Sequence, residues 1–310
     1  MDNLFLKLRK WYHQKRKVKA LVGALPLFLL LGCQSTLKKH EDHPLKILEF
    51  KITPKKIRDA GLVTVEVKLN QPTDELFATV FDKDFSFYPK EFEKKESQEW
   101  ILYLGIPYEQ APGFYSIQVK DVHKKLQVYS WNYRKEALRV EPKRVELTPE
   151  DLKRVLKEKE FLRSVYESSD LKPNWVGKFV LPLRTPITSY FGTQRVFNGV
   201  KKGAHLGADF RAPVGKPIRV TNQGKVVVAR ELFYSGNTVI VDHGMGILSL
   251  YGHLSKFSVA EGDVVKRAQS VGLAGATGRV TGPHLHWGAV VNSEKIDPIV
   301  LTELKVERGR

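Results

Sequence analysis

The chain has 310 residues, 42% of them hydrophobic, and a formal charge of +17, enough length and apolar content for about two domains with real cores. Seven Lys/Arg and one Asp fall in residues 1–32, which leaves +11 for the remainder; a body that basic suits an anionic partner (nucleic acid, an anionic membrane surface, a polymer such as a cell wall) or serves solubility alone. The single cysteine, Cys33, excludes an intramolecular disulfide and a thiolate metal cluster.

At the N-terminus the basic stretch "KLRKWYHQKRKVK" precedes a twelve-residue apolar run, "ALVGALPLFLLL". Twelve residues are too few to cross a hydrocarbon core of about 30 Å, so residues 1–32 read as a secretory signal. The ending Leu30-Leu31-Gly32-Cys33 resembles a bacterial lipobox, which implies cleavage before Cys33 and lipid on its sulfur and new amino group. Leu31 is larger than the small residue usual there, so an uncleaved N-terminal anchor is the alternative. Two or more acyl chains hold a protein stably on a membrane. By resemblance to enteric lipoproteins, Gln34 in place of an aspartate after the cysteine implies the outer membrane. The expectation is an exported, membrane-anchored lipoprotein facing the periplasm, with residues 33–45 as a polar tether in which His40 and His43 are solvated.

Short runs rich in Val, Ile, Tyr and Phe follow near 46–52, 62–70, 76–82, 99–104, 114–120 and 124–131, separated by turn residues as in "LNQPTDE" and "YEQAPGF". This spacing predicts an antiparallel, Ig-like β-sandwich over 46–141. The period then changes. Within 142–177, Thr148 suits an N-cap and Pro149 the first helical position, and Leu152, Val155, Leu156, Leu162, Val165 and Tyr166 recur at helical spacing. A connector helix packed by that face is expected. From 178 to 304 a strand pattern dense in glycine returns, so the fold class is mainly β.

This last region holds five of the nine histidines. In "TGPHLHWGAVV", His284 and His286 stand at i and i+2 of a predicted strand and share one face. In "GAHLGADFRAP", His205 and Asp209 are four apart, a spacing that returns both side chains to one side in a strand or a helical turn. His205, Asp209 and His286 together supply two nitrogens and one oxygen, a common catalytic zinc shell with a position left for water. Beside them, His284 is suited to accept a proton from the attacking water, and His253, in "SLYGHLS", to donate to the oxyanion or protonate the leaving amine. No His-Glu-x-x-His helix occurs, so histidine has to supply the base. His243, in "VDHGMG", reads as a structural hydrogen-bonding residue. Glycines 275, 278 and 282 lack the Lys-Ser/Thr of a phosphate loop and read as turns.

The order of "ITSYFG", "FNG", "HLGADFRAPVGKPIRV", "GNTVIVDHG", "LYGHLS" and "TGRVTGPHLHW" resembles the LytM and lysostaphin-type zinc endopeptidases that cut peptidoglycan peptides, over about 178–300. The resemblance implies a LytM-type antiparallel sheet, one Zn²⁺ held by His205, Asp209 and His286, and catalytic histidines at His253 and His284. Tyr190, Phe191, Asn198 and Tyr251 are candidate groove residues, with core packing an equal reading for the aromatics. One departure is Ala268, where the family usually has a glycine before Gln269. The implied partner is peptidoglycan, with a divisome or amidase partner for a second reading, since some members have lost their ligands and activate separate amidases. The intact five-residue set favours the enzyme. "VAEGDVVKRAQSVG" is also similar to biotinyl and lipoyl carriers, with Lys266 as the modified residue, but a carrier has no need of the histidines. Export argues against nucleic acid. A D-alanyl–diaminopimelate cross-link and a pentaglycine bridge both stay open as substrates.

Overall fold

The computed structural model describes residues 44–91, 97–138, 147–197 and 201–304; the signal-like segment, Cys33 and Asn198 lie outside them. Strands Ile47–Thr53, Leu62–Thr73, Ser97–Gly105 and Tyr88–Pro89 make a four-stranded sheet, and Lys56–Arg58, Val122–Tyr129, Gly113–Val119, Phe77–Val80 and Lys83–Ser86 a five-stranded one. Period-2 alternation sends Val63, Val65, Val67 and Leu69 inward from the first sheet, where they meet Ala78, Val80, Ile117, Val119, Leu126 and Val128 of the second. Two details differ from expectation. The 76–82 run ends in a tight turn at Phe81 and Asp82, both with positive φ, and so pairs with Lys83–Ser86. The turn carries no Asn-Gly or Asp-Gly signature, and its geometry is held by pairing. The short pair between Lys56–Arg58 and residues 127–129 is parallel.

The connector helix spans Pro149–Tyr166, with the Thr148 side chain accepting from the Asp151 backbone N–H at 3.1 Å. Its predicted apolar face is only partly used. Leu152 and Leu156 are about half exposed, and burial is confined to the C-terminal end, at Val165 and Tyr166.

The second half is built on a sheet whose main path runs Ile187–Ser189, Ala208–Arg211, His284–Val291, Ile247–Phe257, Gly236–Gly244, Gly224–Leu232, Val264–Val265, antiparallel throughout. One face buries Phe210, Val239, Val241, Tyr251, Leu285 and Trp287. On the other, Val228, Ile240, Leu248 and Val290 are covered by Val165 and Tyr166 of the helix. His284, His286 and Val290 share that second face by parity, so the helix covers one end of it and leaves the histidine end free. A three-stranded ladder, Lys135–Leu138 parallel to Gln194–Phe197 and that strand antiparallel to Lys201–Ala204, joins the chain leaving the sandwich to the segment before His205.

From Leu45 on, the contacts form one unit. Leu62, Tyr88 and Tyr103 of the sandwich share a cluster with Trp175, Phe179, Ile247, Ala289, Val291, Ile296 and Leu301. The Arg58–Asp297 ion pair and Asn292, which donates to the Tyr103 carbonyl and accepts from the Tyr88 hydroxyl, flank it.

Candidate metal centre

Strand parity builds the site. Ala208 and Phe210 point into the core, so Asp209 points out of it; Leu285 and Trp287 do the same for His284 and His286. The two strands pair with Asp209 opposite His286. His205, just past Lys201–Ala204, is placed by backbone bonds from its own N–H to Thr193 O (3.0 Å) and from Gly192 N–H to its carbonyl (2.7 Å). Gly207 lets the chain pass the site closely, since a Cβ there would lie 2.4 Å from His286 Cε1.

His253 arrives by a different device. Regular alternation after the core residue Tyr251 would turn Gly252 toward the site and His253 back into the core. The register against Gly236–Gly244 slips there, with Leu254 opposite Asn237 and Tyr251 opposite Val239, and His253 takes φ +62. This bulge swings the ring onto the ligand face. Its centroid lies 4.8 Å from that of His284 and 5.8 Å from that of His286.

His205 Nε2 and His286 Nδ1 each lie 2.9 Å from Asp209 Oδ1 and 3.0 Å from one another. These are separations of neighbouring donors around one small cation bound at about 2.0–2.1 Å. Two imidazoles and a carboxylate, all largely shielded from solvent, fit a metal and leave room for a further ligand. The far nitrogen of His205 is occupied: Nδ1 lies 3.2 Å from both Ser189 Oγ and the Tyr190 carbonyl, which leaves Nε2 for the cluster. Burial raises the Asp209 carboxyl, but hydrogen bonds from His205 and His286, with their charge, outweigh it and hold the group well below the usual carboxylate range. Burial pushes His286 down. It also pushes His253 down to about 3, helped by the neighbouring His286 and His284. His253 Nδ1 donates to the Thr277 carbonyl at 2.9 Å and His284 Nδ1 to Gly282 O at 2.8 Å, so on both rings Nε2 is the nitrogen turned away from the backbone.

The structure thus brings His205, Asp209, His253, His284 and His286 together. Tyr190, 44% exposed beneath the Arg134 guanidinium, stands at the rim. Tyr251 does not: it is wholly buried on the opposite face, where its hydroxyl accepts from Thr221 N–H and contacts Ser249 Oγ. An aromatic on a strand is ambiguous until parity is known, and Gly252 rather than Tyr251 shares the face of His286. His243 is fully buried, with Nδ1 on Gln223 O and Nε2 on Ser249 Oγ. Two residues at the site, Ser189 and Arg195, carried no signal beyond lying in and after "ITSYFG".

The profile of Peptidase family M23 matches residues 203–298, which include all five site residues. The crystal structure of a Pseudomonas aeruginosa protein described as a peptidase M23 is 30% identical, with a TM-score of 0.58, and the alignment covers 79% of this chain and 94% of that one. The chain belongs to peptidase family M23. Two Vibrio cholerae proteins are similar to this M23-family chain over its second half. The peptidoglycan DD-endopeptidase ShyB is 45% identical over 93 residues, and ShyA, of the same description, 42% over 112. These matches cover 30% and 36% of this chain but only 22% and 26% of the relatives, about a quarter of their length. The sandwich lies outside the segment the M23 profile matches, whereas the Pseudomonas alignment extends well beyond it.

Proposed function

We propose that this chain is a zinc-dependent endopeptidase that hydrolyses peptide cross-links of bacterial peptidoglycan. The observation that carries the reading is the convergence of His205, Asp209 and His286 beside two further histidines whose Nδ1 atoms are held by backbone carbonyls and whose Nε2 atoms make no hydrogen bond among the described residues, that of His284 lying 3.7 Å from Asp209 Oδ1. His205 Nε2, Asp209 Oδ1 and His286 Nδ1 would hold the metal. Bound there, zinc lowers the pKa of a water to about 7 and polarises a peptide carbonyl.

The protein's own groups then move protons. With Nδ1 of both histidines donating to a carbonyl, Nε2 is the atom through which each ring can accept a proton. The sequence reading made His284 the acceptor and His253 the donor; the hydrogen bonds make a donor only of the ring that has first taken the water's proton. That ring returns it to the leaving amine, and its positive charge steadies the oxyanion meanwhile. The DD-endopeptidase relatives favour a D-alanyl cross-link over a glycine bridge as substrate.

Replacing His253 or His284 by Ala is expected to leave zinc stoichiometric and lower cross-link cleavage by about 10²–10⁴-fold, while His205→Ala, Asp209→Ala and His286→Ala lose metal. Zinc analysis beside muropeptide release from sacculi checks both. Wild-type protein that holds zinc yet cuts no cross-link would instead favour the amidase-activating regulator. Export and a lipid anchor at Cys33, with the outer membrane as destination, complete the proposal. The mass of the mature N-terminus tests it, a diacylated or triacylated Cys33 being expected and an intact Met1 sinking it.

A further inference from the structure

We propose that Arg195 is a positioning residue of the metal centre, which couples the orientation of two ligands to Glu136 on the strand leaving the β-sandwich. The inference rests on the zinc reading of the site.

Arg195 stands on Gln194–Phe197, paired in register with Glu136 on one side and Gly203 on the other. Its side chain is 26% exposed. Nη2 donates to Ser189 Oγ at 2.9 Å and lies 3.6 Å from Asp209 Oδ2, while Nε lies 3.7 Å from Glu136 Oε2. Ser189 Oγ is in turn 3.2 Å from His205 Nδ1. One guanidinium therefore reaches the back of two ligands. It faces the Asp209 oxygen turned away from the cluster and, through Ser189, the His205 nitrogen turned away from it.

Both contacts bias rotations that would otherwise be free: the His205 ring through the hydrogen bond to Ser189, and the Asp209 carboxylate by charge alone, since 3.6 Å is too long for a hydrogen bond. A carboxylate that ligates through one oxygen turns about its terminal torsion unless the other oxygen is held, and an imidazole takes its tautomer and tilt from the hydrogen bond on its far nitrogen. A guanidinium supplies this with rigid, directed donors, which an ammonium does not. A positive charge this close also opposes a divalent cation. Glu136 answers that opposition: its contact with Nε is too long for a hydrogen bond, and Nε has no hydrogen-bond partner among the described residues, so the carboxylate acts as a counter-charge.

The test uses the full mature chain, with zinc dissociation constants measured by chelator competition, the visible spectrum of the cobalt(II)-substituted protein, and the unfolding midpoint of the metal-free form. Arg195→Ala is expected to weaken zinc binding about 10–100-fold and to change the cobalt band pattern, with the metal-free midpoint moved by no more than about 4 °C. Arg195→Lys keeps the charge without the fork and should fall between. Glu136→Gln should weaken binding about 2–5-fold, and this effect should vanish in the Arg195→Ala background, because Glu136 acts through Arg195. Zinc affinity of Arg195→Ala within twofold of wild type overturns the proposal, as does an undiminished Glu136→Gln effect in the double variant. If Arg195→Ala does not fold, wild-type affinity in both Arg195→Lys and Glu136→Gln overturns it. Wild-type protein that binds no zinc overturns the metal reading as well, and so is told apart from a failure of Arg195 alone.

Discussion

His243 and His253 are separated by ten positions on a continuous pair of strands, and burial pushes both well below the ordinary imidazole pKa. They differ in what the second nitrogen meets. In His243 both nitrogens are used, by Gln223 O and Ser249 Oγ, and the ring stands edge-on to Phe179; in His253 only Nδ1 is used among the described residues. The buried His243 has a pKa near 4 against 6.5 when exposed, so the unfolded chain binds the extra proton. Its contribution to stability is complete above pH 6.5 and is lost as pH falls toward 4, a loss of about 3 kcal/mol. Urea unfolding of metal-free protein between pH 7.5 and 4 should show that fall. His243→Gln should be less stable at pH 7.5 and have a shallower slope; an unchanged slope would show that other groups carry the pH dependence. At the same scale, Ala268 takes φ +64 where the resemblance leads one to expect glycine, so the departure is one of side chain and not of backbone conformation.

The connector helix shows how far periodicity reaches for a single element. Its start was legible, because Thr148 and Pro149 are chemical signals that act locally. Its buried face was legible only at the C-terminal end, at Leu162, Val165 and Tyr166, because period 3.6 says which residues share a side and not how far along it anything covers that side. The sheet face it meets offers Val228, Ile240, Leu248 and Val290, which reach only Val165 and Tyr166 among its buried residues. Tyr166→Ala is therefore expected to cost about 3 kcal/mol, against less than about 0.5 kcal/mol for Leu152→Gln or Leu156→Gln. Chemical denaturation of the three variants checks the contrast, and a large loss at Leu152 would place a covering surface there.

Across the whole molecule, the sandwich and the second-half sheet share side chains instead of merely touching. Tyr88 and Tyr103 from one and Ile247, Val291 and Ile296 from the other lie in a single buried cluster. Such a joint should make the two halves melt together in one calorimetric transition. Gly105 is the place to test it, since a Cβ there would lie 2.9 Å from the Val291 carbonyl and 3.1 Å from Ile296 Cγ2. Gly105→Val is expected to split the transition in two, the sandwich core of Val65, Leu102 and Leu126 surviving in its own right. A single transition in that variant would mean the joint does not hold the halves together.

Taken alone, the sequence determined what local chemistry can carry: the strand alternation of the sandwich, the cap of the helix, and a face holding His284 and His286 with His205 and Asp209 near in chain order. Those follow from period 2, period 3.6 and side-chain hydrogen bonding within a few residues. The tertiary structure alone decided what depends on partners distant in the chain. The Tyr251 side chain went to the core because its strand packs between two others, and His253 reached the site because a bulge against Gly236–Gly244 reversed its parity. Arg195 met Glu136 only when the strand leaving the sandwich, Lys135–Leu138, paired beside it. Parity, bulges and ion pairs across 59 positions, from Glu136 to Arg195, are properties of pairing and burial, and no window of sequence contains both partners.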